Sequence, residues 1–213
     1  MPENQGLFIS FEGIDGVGKS TQADLMESYL AKRGLEVVRT LEPGGTELGV
    51  EIRHLLLHRK GEVSVRSEAL LYAADRAHHV ASKIRPALAK GQIVISDRYL
   101  DSSVAYQGAG RQLDLAEVRD LSLWAVDNLL PDLTVLLDLD AEAASIRRGQ
   151  TGAEPDRLER EKISFFEAAR ETYKQLAAAE PNRFHLVDAA QDPDSIWKQI
   201  QPRLETLLES KGL

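Results

Sequence analysis

The chain has no cysteine among its 213 residues. Disulfides, thiol nucleophiles and thiolate metal sites are thereby excluded, a composition that suits a reducing interior. Long apolar runs are also missing: no stretch approaches the ~20 residues that a membrane-spanning helix needs. The opening residues, Met1-Pro2-Glu3-Asn4-Gln5-Gly6, show no basic segment followed by an apolar one. No secretion signal is therefore expected, and the cytoplasm is the default location. Positive charge is in deficit, with 26 Lys and Arg against 34 Asp and Glu and a formal net charge of −8. General nucleic-acid binding, which depends on a basic field, is not expected, although a local basic pocket is allowed. His54, His58, His78, His79 and His185 lie at no metal-ligating spacing with carboxylates, so they read as surface or helix-packing residues. No repeat, low-complexity tract or dividing linker is visible.

What is present is the composition of an ordinary soluble globule, 43% hydrophobic and 28% charged, and a length that fits one domain over residues 1–213. The most informative stretch is Gly13-Ile14-Asp15-Gly16-Val17-Gly18-Lys19-Ser20. It follows a short apolar run and precedes a helical pattern, the context that a G-x-x-x-x-G-K-[ST] phosphate loop requires. Its glycines let the backbone fold round anionic oxygens, and the helix start adds its positive end. Lys19 is placed to reach the β- and γ-phosphates of a nucleotide, and the Ser20 hydroxyl to ligate Mg²⁺.

Downstream, apolar runs alternate with helical patterns. Strands are expected at residues 7–11, 35–40, 93–96, 133–139 and 184–187. Helices are expected at 19–33, from 48 onward, 63–90 with a break or new first turn at Pro86, 115–130, a short one after Asp140, 158–179 and 194–210. Gly34 sits at a helix stop, and Asp114 with Glu117 forms a capping box. Strands that read as continuous apolar runs between helices indicate an α/β fold with a five-stranded parallel sheet covered on both faces. Ligands then bind beyond the carboxyl ends of the strands, where the phosphate loop, residues 42–46 and Asp97-Arg98-Tyr99 converge.

A phosphate loop alone fits switches, motors, transporters and kinases. The short chain, with no obvious partner module, favours a small-molecule kinase. Such an enzyme must hold two anionic phosphates together, so it needs cations beyond Lys19. Arg76, Arg98 and the cluster Arg147, Arg148 and Arg157 supply them. The last three flank a Gly-, Thr- and Pro-rich stretch, residues 147–157, that reads as a small mobile lid.

Five separate segments resemble one family, the thymidylate kinases of the nucleoside monophosphate kinase group. They are Phe11-Glu12-Gly13 through Thr21, Glu42-Pro43-Gly44-Gly45-Thr46, Tyr72-Ala73-Ala74-Asp75-Arg76, Asp97-Arg98-Tyr99 with Ser102, Ser103, Ala105, Tyr106 and Gln107, and Asp156-Arg157-Leu158-Glu159. The resemblance covers essentially the whole chain. It implies the three-layer P-loop NTPase fold and transfer of the γ-phosphoryl of ATP to dTMP, with Mg²⁺, in dTTP biosynthesis. Gly13, Ile14, Asp15, Gly16, Val17, Gly18, Lys19, Ser20 and Thr21 would hold ATP. Ser20 and Asp97 would serve the metal, Asp97 through water or by orienting Arg98 instead. Arg98 would hold the acceptor phosphate, and Asp15 would accept a hydrogen bond from the 3′-hydroxyl.

Further along, Tyr72 would stack on thymine, at a position where the family often has Phe. Arg76, four residues on and on the same helix face, would donate to the base. Ser103 would face the base, Gln107 would touch the base or sugar-phosphate, and Tyr106 would stand near the 2′ carbon and exclude a 2′-hydroxyl. The loop with Glu42 would line the acceptor side, with Arg53 as a phosphate or structural partner. Leu41 stands where many relatives have arginine, and Arg39 is the candidate substitute. Val17 leaves the phosphate loop without an arginine, so the missing charge would come from Arg147, Arg148 or Arg157. The apolar stretch 115–130 with Trp124 reads as core or as a homodimer face. A kinase for another nucleotide or nucleoside, or a nucleotide-binding switch, is the alternative to weigh.

Overall fold

The computed structural model describes residues 6–150, 152 and 154–213. Residues 1–5, read above for a targeting signal, lie outside that set, as do residues 151 and 153 of the expected lid. Strand β1 (Leu7–Glu12) is central and wholly buried. It pairs in parallel with β3 (Ile93–Asp97) and β4 (Leu133–Asp138). Strand β2 (Val37–Leu41) lies outside β3, and β5 (Phe184–Asp188) outside β4, giving the order β2-β3-β1-β4-β5. This is the five-stranded parallel sheet that the apolar runs predict.

Alternation along β1 feeds two cores. Leu7, Ile9 and Phe11 join Met26 and Leu30 on one side, while Phe8 packs with Val80, Ile84 and Tyr99 on the other. Register aligns the carboxyl ends: Asp97 lies opposite both Phe11 and Leu41, so the loops after β1, β2 and β3 open at one edge.

The helices are α1 (Lys19–Lys32), α2 (Glu47–Leu57), α3 (Val65–His79), α4 (Arg85–Ala89), α5 (Leu100–Ser103), α6 (Leu115–Ala125), α7 (Ala141–Gly149), α8 (Ile163–Ala179) and α9 (Pro193–Lys211). Thr46, Ser64, Asp114, Asp140 and Asp192 cap their helices through side-chain oxygens. The expected helix over 63–90 is three pieces, with a π-helical segment (Val80–Ile84) between α3 and α4 and Pro86 in the first turn of α4. A second π-helical segment (Val104–Gly110) follows α5.

Three helix boundaries lie three or more residues from expectation. Helix α6 stops at Ala125 because Asp127 and Asn128 turn the chain through left-handed backbone, φ 49° and 55°, a conformation that short polar side chains tolerate. Helix α7 runs through Gly149, so Arg147 and Arg148 lie on its last turn and not in a loop. Helix α8 starts at Ile163, not at 158. The preceding residues form a turn in which Asp156 accepts from the amides of Leu158 and Glu159.

Candidate active site

The phosphate loop is shaped by close backbone approach. Gly13 has φ 130° and Gly16 has φ 92°. A Cβ on Gly13 would meet the carbonyl of Leu137, and one on Gly16 the carbonyl of Ala144. Glycine is therefore demanded at both positions by conformation and by space. Ile14 and Val17 point into the core, so they serve the loop through backbone alone. Helix α1 begins at Lys19 with no side-chain cap on Gly18, which leaves its first amides for an anion.

Lys19 donates to the carbonyls of Gly13 (3.1 Å) and Ile14 (3.0 Å). Burial and the nearby Arg98 lower its pKa against the pull of Asp15, Asp97 and Glu12. The Ser20 hydroxyl donates to Asp97 Oδ2 at 2.8 Å, across 77 positions of sequence. Two hard oxygen donors beside a phosphate loop fit Mg²⁺, which takes few protein ligands and fills its shell with phosphate and water oxygens.

Next to this loop lies a cavity. Every residue expected to meet dTMP lines it: Asp15, Glu42, Tyr72, Arg76, Arg98, Ser103, Tyr106 and Gln107. The π-helical segment after α5 carries Tyr106 and Gln107 to its wall, a use often found for π-bulges. Arg76 is fully buried. Its guanidinium donates to Glu42 Oε2 (2.6 Å), Ser103 Oγ (3.1 Å) and the carbonyl of Tyr99 (3.2 Å). The other oxygen of Glu42 meets His79 Nδ1 at 2.9 Å, and His79 Nε2 meets Thr40 at 2.6 Å. Glu42 thus anchors Arg76 and His79, and His79 is a buried member of a polar network and not a surface residue. The loop after Glu42 is tied by Arg53 to the carbonyl of Pro43, by Lys83 to the carbonyl of Gly45 and by Asp75 to the amide of Gly44. Gln107 donates to the buried Glu68.

Arg98 and Asp15 line both this cavity and the cleft over the phosphate loop. They form an ion pair at 2.5 Å. Tyr106 donates to the second oxygen of Asp15 at 3.0 Å, accepts from Arg98 at 3.2 Å, and holds its ring 4.9 Å from the guanidinium. Burial alone would raise the Asp15 pKa, but the charges of Arg98 and Lys19 and these hydrogen bonds hold it well below the usual carboxylate range. The Arg98 backbone is left-handed, φ 72°, uncommon for a long side chain.

The three lid-region arginines do not form one cluster. Arg147 donates to the carbonyls of Ala189 (2.7 Å) and Ala190 (3.2 Å), and Arg148 stacks 4.9 Å over Phe166. Both line the phosphate cleft. Arg157 instead reaches Glu68 at 2.5 Å and the carbonyl of Leu56 at 2.8 Å, facing a separate depression with His58 and Arg59. Arg39 pairs with Asp24 and Glu27 of α1, so it does not replace the arginine absent at Leu41.

Four features escaped the sequence. Glu12 is completely buried and accepts from Tyr99 N, Ser102 Oγ and Tyr173 OH. Tyr173, from α8, also lies within 3.4 Å of Arg98. Arg183 clamps Asp101 at 2.6 and 2.9 Å beneath the loop of Arg98. A further depression runs from Thr21 past Arg147 to Gln191. The Glu12-Gly13 pair beside the phosphate loop was the available signal for the first; the others come from distant segments.

A family model described as Thymidylate kinase matches residues 11–200. The thymidylate kinase of Leifsonia xyli subsp. xyli is 59% identical over 206 residues, 96% of this chain and 98% of that protein. That of Clavibacter michiganensis subsp. michiganensis is 58% identical over 203 residues, 95% and 96% of the two chains. The crystal structure of thymidylate kinase from Ehrlichia chaffeensis superposes with a TM-score of 0.78 at 31% identity, covering 94% of this chain and 98% of that one.

Proposed function

The chain belongs to the thymidylate kinase family, which phosphorylates dTMP to dTDP with ATP, and on that premise we propose how its residues divide the work. The observation that carries the proposal is that Asp15 and Arg98 line both cavities at once. The phosphate-loop amides and Lys19 hold the β- and γ-phosphates of ATP on one side. Arg98 grips the dTMP phosphate on the other, its planar fork matching phosphate oxygens. Asp15 exchanges part of its ion pair for the 3′-hydroxyl. Tyr72 packs on thymine, and Arg76 faces the base, presented by Glu42. The depression between Thr21 and Gln191 takes the donor base.

Catalysis here is positioning plus charge stabilisation. The acceptor phosphate is already anionic, so no general base is needed. Ser20 directly, and Asp97 through water, would hold Mg²⁺, which supplies neutralisation of charge across the phosphate oxygens. Arg147 and Arg148 add positive charge from α7, the role that an arginine at Val17 would otherwise fill. Arg157, held by Glu68, secures the end of the lid. The chain acts as one domain over residues 1–213, with residues 147–157 as its lid, in the cytoplasm and as a homodimer.

Calorimetric titration of dTMP tests the acceptor side. Arg98→Ala should bind dTMP about a hundredfold more weakly than the wild type. Equal affinity would remove Arg98 from the acceptor phosphate.

A further inference from the structure

Arg98 depends on a support that the reaction scheme above leaves unused. Its left-handed backbone, φ 72°, costs a residue of this kind free energy unless neighbours fix it. The bend is pinned on both sides. The Arg98 amide donates to the carbonyl of Phe11 at 2.9 Å, and the Ser96 hydroxyl donates to the Arg98 carbonyl at 2.7 Å. The next amide, that of Tyr99, donates to Glu12 Oε1 at 2.8 Å. The other oxygen of Glu12 accepts from the hydroxyls of Ser102 (2.6 Å) and Tyr173 (2.8 Å). Those same hydroxyl oxygens accept from Arg98 Nη1, at 3.1 and 3.4 Å. The two hydroxyls also lie 2.8 Å from each other, so Glu12, Ser102, Tyr173 and the Arg98 guanidinium form one hydrogen-bonded group. One carboxylate therefore supports both the backbone bend and part of the side-chain cradle of Arg98, whose guanidinium also meets the carbonyl of Gly13, Asp15 and Tyr106.

We propose that Glu12 is a positioning residue for dTMP phosphorylation, holding Arg98 in the geometry that grips the acceptor phosphate. The proposal rests on the role given to Arg98 above. Glu12 does not line either cavity that Arg98 shares, so it acts through Arg98 and not on substrate. Its two oxygens join β1, α5 and α8, elements far apart in sequence. Keeping a carboxylate there is itself costly: burial and Asp101 push its pKa up to about 7, against the pull of Ser102, Arg98 and Tyr173. A purely structural residue in this place needs no charge.

The test is steady-state kinetics on Glu12→Gln, which keeps shape and removes the charge. The KM for dTMP should rise about tenfold, the usual scale for a weakened charged hydrogen bond, while the KM for ATP stays within about twofold. Combining Glu12→Gln with Tyr173→Phe should cost no more than Glu12→Gln alone, since both act through one contact. Parallel changes in both KM values, an unchanged dTMP KM, or multiplicative effects in the double variant would overturn the proposal. Should Glu12→Gln fail to fold, Ser102→Ala and Tyr173→Phe decide. They leave the Tyr99 amide satisfied and should each raise the dTMP KM selectively, and an unchanged value in both overturns the proposal. The Arg98→Ala titration separates the two layers. If Arg98→Ala weakens dTMP and Glu12→Gln does not, only the role of Glu12 fails. If Arg98→Ala leaves dTMP binding unchanged, the role of Arg98 fails and that of Glu12 with it.

Discussion

Tyr106 is held too firmly to move aside for a bulkier sugar. Its hydroxyl is fixed by Asp15 and Arg98, and its ring is boxed edge-on by Phe165, Phe166 and Tyr173. Tyr106→Ala should therefore relax sugar discrimination, lowering the ratio of dTMP to 5-methyl-UMP turnover about tenfold. An unchanged ratio would free Tyr106 from that role. The buried carboxyls make a second prediction, on stability. Glu12 is raised from 4.5 to about 7, chiefly by burial, and Asp75 from 3.8 to about 6 by burial and Glu42. The folded state thus holds these protons more tightly than the unfolded one. Their contribution is full below the unfolded pKa values and is lost as pH rises through the folded ones. The Glu12 window runs from 4.5 to about 7, with a slope of at most ~1.4 kcal/mol per pH unit. Asp15, shifted down, acts only below its ordinary value and so outside this window. Thermal midpoints should fall from pH 5 to pH 7.5 more steeply in the wild type than in Glu12→Gln, and parallel curves would contradict the assignment. The phosphate loop and Arg98 were legible because their signals are local in sequence. Glu12 was not, since its partner Tyr173 lies 161 positions away, and no spacing rule reaches that far.

Among the elements, α2, α3 and α6 carry exposed apolar side chains. Leu48 and Leu55 of α2, Leu70 of α3 and Leu115 and Trp124 of α6 are exposed, Trp124 at 81%. The expectation that Trp124 is core fails, and its exposure is in keeping with the proposed homodimer, since large exposed apolar side chains favour association. Light scattering at micromolar concentration should give a dimer, and Trp124→Glu should shift it toward monomer. A monomeric wild type would contradict the reading. Element existence was readable from apolar periodicity, down to Pro86 opening α4 and the side-chain caps of Asp114 and Asp140. The π-helical segments were not, because no residue type or spacing rule marks a switch from i→i+4 to i→i+5 bonding within a helical run. Helix α7 also outran its reading: Arg147 and Arg148 continue it because their side chains find Ala189, Ala190 and Phe166, contacts made by other elements.

For the whole molecule, the parallel order β2-β3-β1-β4-β5 decides what meets what. It sets β1 and β3 side by side, so Ser20 and Asp97 touch and Arg98 reaches back to Asp15. The cavity that lies beside the phosphate loop and the cleft over that loop then share a wall of Asp15 and Arg98. In the proposed function, a phosphoryl group passes across this wall to dTMP in preference to other acceptors. Coupled ADP release with ATP and Mg²⁺ measures it directly, comparing dTMP with dCMP, free thymidine and no acceptor. dTMP-dependent release should be about tenfold faster than release with any other acceptor tested. Faster turnover of dCMP or thymidine, or release indifferent to dTMP, would contradict it.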